Sequence, residues 1–288
     1  MRFTMAINQP TPATSSTTLT HEEIATYQRD GLIIPRYRLP WDLLGRMRES
    51  FAKLLRDNPT IRPEMLLGVH IAKGYADGMR GNPDFLEYAL NPHILDLVEQ
   101  VIGPNIILWG TQIICKPGGD GMAVPWHQDG EYWPIRPLAT CTVWIAIEDS
   151  TPENGCMRYV PGSHKRQALL AHHHSDRDDL ALNQQLDAGT FDENDAKDDA
   201  LEAGQMSLHD IYLVHGSNPN RSPKRRAGFI IRYMPSTSHF DRSIHKMDRL
   251  GKADTSMTNF STRPIWLARG VDRCGKNDFT IGHERTKA

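Results

Sequence analysis

From Asn105 onward the chain breaks into short runs rich in β-branched and aromatic residues: Ile106 to Trp109, Gln112 to Lys116, Thr140 to Ile147, Met157 to Val160, Gln205 to Leu208 and Gly228 to Met234. Gly, Pro, Asn and Asp punctuate them, as strand ends and turns require. Many short strands separated by turn signals can bury their apolar faces only as a sandwich or a barrel. The N-terminal third differs. Thr20-His21-Glu22-Glu23 has the form of a capping box, so a helix should follow and stop near Gly31, with a brief strand over Leu32 to Pro35. Leu43, Leu44, Met47, Phe51, Leu54 and Leu55 recur at helical spacing within Trp41 to Leu55. Asn91-Pro92 opens another helix, with Gly103 beyond its end, and residues 62–82 read as a glycine-containing loop. The fold class expected is therefore mainly β with flanking helices (α+β).

The organisation expected is a disordered lead-in over residues 1–19, rich in Thr, Ser and Pro, followed by one domain over 20–288. Its barrel core spans about 105–235, a polar insertion about 165–204, and a C-terminal extension 236–288. The insertion carries His172-His173-His174 and an acidic run from Asp192 to Asp199, and it reads as a lid or mobile loop over the barrel. The three histidines are expected in a solvated loop without a catalytic role.

Composition removes several function classes. The formal net charge of -2 gives no global field to attract nucleic acid or an anionic membrane. No stretch approaches the roughly 20 apolar residues a membrane helix needs. The four cysteines, Cys115, Cys141, Cys156 and Cys274, form no C-x-x-C pair, so a zinc knuckle or disulfide framework is not indicated. A cytoplasmic protein with a small-molecule substrate fits best, with a homodimer contact through the C-terminal extension left open.

Trp126-His127-Gln128-Asp129-Gly130 is the segment with the most chemistry in it. On a strand or its end, His127 and Asp129 project to the same side, because alternate residues share a face. His215, in Val214-His215-Gly216-Ser217 after a later apolar run, is placed to be a third ligand. Two imidazoles and one carboxylate on one face of an octahedron leave three positions open, which suits iron(II) binding a co-substrate and dioxygen. Ligating imidazoles are neutral, so metal affinity should fall below about pH 6.5. The competing readings are plain: His127 as a hydrogen-bonded core residue, Asp129 as a turn residue beside Gly130, and His215 as a strand terminator.

Three stretches in this order, P-W-H-Q-D-G (125–130), E-N-G-C-M-R-Y-V-P-G-S-H-K (153–165) and H-G-S-N-P-N-R-S-P-K-R-R (215–226), resemble the phytanoyl-CoA dioxygenase family. The resemblance runs from about Thr20 to Pro235. It implies a double-stranded β-helix, a jelly-roll barrel of the cupin-like kind, and a non-haem Fe(II)/2-oxoglutarate-dependent oxygenase. It implies His127, Asp129 and His215 as iron ligands. It implies Arg226, eleven residues after His215, as the partner of the far carboxylate of 2-oxoglutarate; Arg221, Arg225 and Arg232 compete for that role, Arg232 sharing the strand parity of Arg226. Ser217 resembles a position assisting the same carboxylate, and Gln112, Gln128 and Trp144 positions lining the cofactor pocket. For Ser217 a turn role, and for Trp144 core packing, are equally open. Halogenating relatives carry a small residue in place of the carboxylate, so Asp129 implies hydroxylation, with succinate and carbon dioxide released.

The substrate is approached through Glu131 to Arg136. Tyr132 and Trp133 could form an apolar or cation-binding wall, and Arg136 or Lys73 could meet an anionic group. A small organic metabolite is expected. Two rival readings keep the same triad: a non-catalytic jelly-roll metal- or ligand-binding protein, and a zinc-dependent hydrolase.

Overall fold

Two of the helices begin where a side chain closes the first turn. The computed structural model describes residues 15–73, 79–131, 133–244 and 260–285. Helix α1 (His21–Asp30) opens with the expected capping box. The Glu23 amide donates to Thr20 Oγ1 at 3.2 Å, the Thr20 amide donates back to the Glu23 carboxylate at 2.6 Å, and Gly31 ends the helix with φ 81°. Helix α2 (Trp41–Asp57) buries Leu43, Leu44, Met47, Phe51 and Leu54. A short α3 (Asp84–Ala89) precedes α4 (Pro92–Ile102), whose first turn is capped by the Asn91 side chain accepting from the His93 amide. Residues 1–14 of the expected lead-in lie outside the described residues. Its end is held on α4: Thr17 donates to Asp96, and the Leu19 amide to Gln100 at 2.8 Å.

The strands follow in chain order as β1 (Leu32–Ile33), β2 (Leu66–Leu67), β3 (Ile106–Lys116), β4 (Val124–His127), β5 (Ile135–Arg136), β6 (Cys141–Ala146), β7 (Met157–Tyr159), β8 (His172–His174), β9 (Gln184–Leu186), β10 (Lys197–Asp199), β11 (Met206–Asp210), β12 (His215–Ser217), β13 (Arg226–Pro235), β14 (His239–Phe240) and β15 (Trp266–Arg269). A large antiparallel sheet runs β1-β11-β6-β13-β3-β15, and β2 also pairs with β3; a smaller one runs β10-β7-β12-β4. This is the two-sheet arrangement of a jelly roll, and every ladder in it is antiparallel.

Strand alternation divides the large sheet into two working faces. Ala227, Phe229, Ile231 and Tyr233 of β13, with Val143 and Ile145 of β6, join Met47, Phe51, Phe85 and Leu95 of the helices in the main core. Arg226, Ile230 and Arg232 of β13, with Thr142 and Trp144 of β6, turn to the other face and line a cavity of about 160 Å³ bordered by His127 and His215 of the small sheet. The helices thus stiffen one side of the sheet so that the other can carry polar groups.

Two expectations need correction. Ile106 to Trp109 and Gln112 to Lys116 are not separate strands: β3 is continuous. The register of β13 against it shifts between Arg232, opposite Gly110, and Tyr233, opposite Leu108, so the glycine marks a bulge that leaves Trp109 unpaired. Nor is the insertion wholly loop. β8 and β9 form a hairpin within it and β10 joins the small sheet. His172 is buried, because its Nε2 accepts from the Gln128 amide at 3.1 Å; that amide lies beside the predicted metal ligands and needs a partner. His173 is exposed, 2.7 Å from Asp187. No helix among the described residues is long and apolar enough to cross a membrane.

His70 gives this fold a measurable acid sensitivity. Its ring is sealed beneath β3, 2.6 Å from Thr111 Oγ1, and burial, with Arg263 adding repulsion, pushes its pKa down to about 3. In the unfolded chain a histidine titrates near 6.5, so between about pH 6.5 and 3 the unfolded state binds the extra proton. The stabilisation is complete above that window and is lost as pH falls through it, at up to about 1.4 kcal/mol per pH unit. The stability gap between wild type and His70→Asn, from urea unfolding, should therefore narrow steadily as pH falls from about 6.5 to about 4. A gap that stays constant contradicts a neutral, buried ring.

Candidate metal centre

His127 closes β4, and His215 opens β12 directly opposite it in the ladder, with ring centroids 4.2 Å apart. Each ring is oriented by the backbone two residues before it. Nδ1 of His127 donates to the Pro125 carbonyl at 2.8 Å, and Nδ1 of His215 to the Leu213 carbonyl at 2.9 Å. Both therefore present Nε2 to a common point, the tautomer a metal needs. Asp129 follows in the 3-10 turn 129–131 and supplies the carboxylate; donor atoms of the three residues all lie within 4.8 Å of one another. The strand ends before Asp129, yet its side chain still turns to the side of His127, as the spacing of two predicted.

The charge states suit a divalent cation. Burial opposes ionisation of Asp129, but the contacts from His127 and His209, each 3.6 Å from it, and the Arg232 charge hold its carboxyl well below the usual range. Burial, reinforced by His127, drives His215 well below the ordinary histidine value, so it is a neutral donor. Thr142 Oγ1 donates to Asp129 Oδ2 at 3.3 Å and steadies the carboxylate. Three convergent donors, two neutral and one anionic, fit iron(II).

A second anchor lies further along the cavity. Arg226 is buried, and its Nε and Nη2 donate to the Gly155 carbonyl at 3.1 and 2.7 Å. Its guanidinium lies over the Trp144 ring at 5.1 Å. Burial lowers its pKa to about 10, which leaves it protonated at neutral pH. Two glycines make this possible. A Cβ on Gly228 would come within 2.0 Å of the Trp144 ring, and one on Gly155 within 2.5 Å of the Asn218 carbonyl, where φ is also 77°. Ser217 borders the same region and accepts from Lys116 Nζ at 2.6 Å; burial, with the Arg226 charge, pushes Lys116 down to about 6. Arg221 and Arg225 lie outside the cavity lining, exposed on the Gly119 carbonyl and on Glu148 respectively.

Other expected positions separate. Gln112 lines the cavity and accepts from Arg232 Nη2 at 2.9 Å, and Trp133 lines it beside Trp109. Gln128 borders it, but its amide is used elsewhere: Nε2 donates to the Tyr212 and Ala168 carbonyls and Oε1 accepts from the Leu170 amide, tying the insertion down. Arg136 is exposed on the Trp133 and Ile135 carbonyls, and Lys73 is exposed; neither reaches the cavity. Tyr132 lies outside the described residues. Lys116, His209 and Arg263 were not anticipated. His209 is buried with its ring 4.9 Å from that of His215. Its signal was present: Met206 and Leu208 are apolar, so Ser207 and His209 face away from the core.

The phytanoyl-CoA dioxygenase (PhyH) family model matches residues 27–228. A probable phytanoyl-CoA dioxygenase of Caenorhabditis elegans is 28% identical over 235 residues, covering 75% of each chain. Among solved structures, the apo form of the non-heme monooxygenase ThoJ superposes with a TM-score of 0.64 at 24% identity, over 86% of this chain and 84% of that one. The epimerase SnoN in complex with Fe3+, alpha ketoglutarate and nogalamycin RO superposes with a TM-score of 0.60 at 22% identity, over 76% of this chain and 85% of that one. With the family matched over most of its length and the His-Asp-His triad assembled, the chain belongs to the phytanoyl-CoA dioxygenase family and is an iron- and 2-oxoglutarate-dependent oxygenase.

Proposed function

We propose that this oxygenase hydroxylates a small organic metabolite, converting 2-oxoglutarate to succinate and carbon dioxide. The observation that carries this reading is the Asp129 carboxylate standing with His127 and His215 as one of three convergent donors. His127, Asp129 and His215 would hold the iron. Arg226 would grip the far carboxylate of 2-oxoglutarate with its planar fork, Ser217 and Lys116 beside it, and Trp144 would fix the plane of the guanidinium. Bound iron with 2-oxoglutarate supplies the activation of dioxygen. The chain supplies orientation and a dry surround: Ile114, Val124, Met157 and Ile230 line the cavity with hydrocarbon. Four cysteines without a disulfide partner fit a reducing compartment such as the cytoplasm.

Asp129→Ala should abolish iron(II)-dependent succinate release while leaving the unfolding midpoint in place, because two neutral ligands hold the metal poorly. Normal turnover in that variant would overturn the ligand set, and turnover without dioxygen or 2-oxoglutarate would instead indicate a hydrolase. Arg226→Ala should raise the 2-oxoglutarate concentration for half-maximal succinate release about 10- to 100-fold, the loss of a charge-assisted contact of about 1.5–3 kcal/mol. Arg225→Ala, on the surface, serves as the control. Gly228→Ala should move the same quantity in the same direction by displacing Trp144, with iron affinity unchanged. If the iron titration shifts and the 2-oxoglutarate requirement does not, the assignment of that end of the cavity is wrong.

A further inference from the structure

Arg232 is a charged group of the cavity lining that, on the assignments above, holds neither iron nor 2-oxoglutarate. It leaves β13 six residues after Arg226 on the same face, and at strand rise their Cα atoms stand about 20 Å apart. One small dicarboxylate therefore does not need both. Its guanidinium makes one side-chain hydrogen bond among the described residues, to Gln112, and its Nε is shut off from solvent without a partner. Asp129 is the one acidic residue among the described residues that line the cavity, and it is committed to the metal. Iron(II) keeps one positive charge after Asp129, and a 2-oxoglutarate dianion keeps one negative charge after Arg226, so those four groups cancel. The charge of Arg232 lies outside that balance.

Its surroundings are built rather than incidental. The guanidinium lies over the Trp133 ring at 5.3 Å, and Trp133 meets Trp109 edge to face at 4.4 Å. A second cation, Arg263, lies over Phe260 at 4.6 Å and over Trp109 at 5.8 Å. Both arginines flank Gly110, where a Cβ would touch Arg263 Nη1 at 3.9 Å and Arg232 Cδ at 4.0 Å. An arginine wedged among aromatic faces in a partly dry cavity attracts an oxyanion far more strongly than it would in water. The aromatic rings beside it suit a flat or apolar segment.

Resting on the hydroxylase reading above, we propose that Arg232 binds an oxyanionic group of the primary substrate, and that Trp109, Trp133 and Phe260 hold the apolar segment attached to it. The substrate class is then an anionic small molecule, a carboxylate or a phosphate ester, with an aromatic or compact apolar body. Arg232 is a specificity-determining residue, separate from the arginine that holds the co-substrate.

The test is binding, measured by anaerobic calorimetry on protein loaded with iron(II) and saturated with 2-oxoglutarate, so that Arg226 is occupied. Phenylacetate, phenyl phosphate and the neutral phenylacetamide are the probes. At least one of the two anions should bind 10-fold or more tighter than the amide, and which one does identifies the oxyanion. Arg232→Gln should erase that preference and Arg232→Lys should keep part of it, while 2-oxoglutarate still binds both variants with iron(II), which also shows that they fold. Equal binding of anions and amide, no binding of any probe, or a preference that survives in Arg232→Gln overturns the proposal and leaves Arg232 as a counter-charge to Asp129. Failure of the wild type to take up 2-oxoglutarate with iron(II) sinks the hydroxylase reading instead, so the two failures are distinguishable.

Discussion

The active centre depends on the register of one short ladder. His215 stands opposite His127 because β12 pairs with β4 at that residue. A slip of one residue would send an imidazole to the opposite face and leave the carboxylate of Asp129 with a single nitrogen partner. Three residues of β12 are too few to fix this alone. β12 is also paired on its other edge with β7, where His215 meets Tyr159 and Ser217 meets Met157, so the ligand strand is held between two neighbours. The loop from β13 back to β12 adds a third restraint, since Asn220 donates to the Pro117 and Lys224 carbonyls at 2.9 and 2.8 Å.

Two of the polar groups inside this barrel, Arg226 and Gln128, survive because they are tied to backbone or to a planar ring. Arg226 uses the Gly155 carbonyl and the Trp144 face; Gln128 spends its amide on three backbone groups. An unpaired buried charge would cost several kcal/mol, so the glycines that admit these contacts matter as much as the charged residues. The E-N-G-C stretch reads in this light as a device for aiming one carbonyl: Thr151 and Asn154 cap a tight turn, Gly155 takes the positive φ that follows, and its oxygen meets the arginine.

The local features of the sequence were legible where one residue decides them. Thr20 with Glu23 and Asn91 with Pro92 each mark a helix start, and the spacing of two between His127 and Asp129 foretold a shared side. What was not legible depended on partners far away in sequence. Gly110 looked like a break between strands, because a bulge is defined by the strand across from it. Gln128 borders the cavity as expected, but its ties to Ala168, Leu170 and Tyr212 were not legible, because they depend on the path of an insertion and of the β11–β12 turn that the sequence does not announce. His172 looked solvated within a polar run, yet it is the acceptor for an amide forty-four residues earlier. Lys116 ended an apolar strand and gave no sign that Ser217 and Asn218 would enclose it.

Strand parity connects the two arginines and puts both on the cavity face, one in each role proposed above. Alternation places positions 226, 228, 230 and 232 on the cavity face of β13 while 227, 229, 231 and 233 carry the core. The core positions are constrained by packing against the helices, and position 226 by the Gly155 carbonyl and the Trp144 ring. Position 232 is outside both constraints; its guanidinium lies over Trp133, which meets Trp109, with Phe260 near the neighbouring Arg263. A cavity whose co-substrate end is built from backbone-anchored groups, and whose far end is built from side chains of a peripheral segment, can change its substrate without disturbing its oxidant. On the proposed assignment, the charge at position 232 is the part of this site that selects what is oxidised.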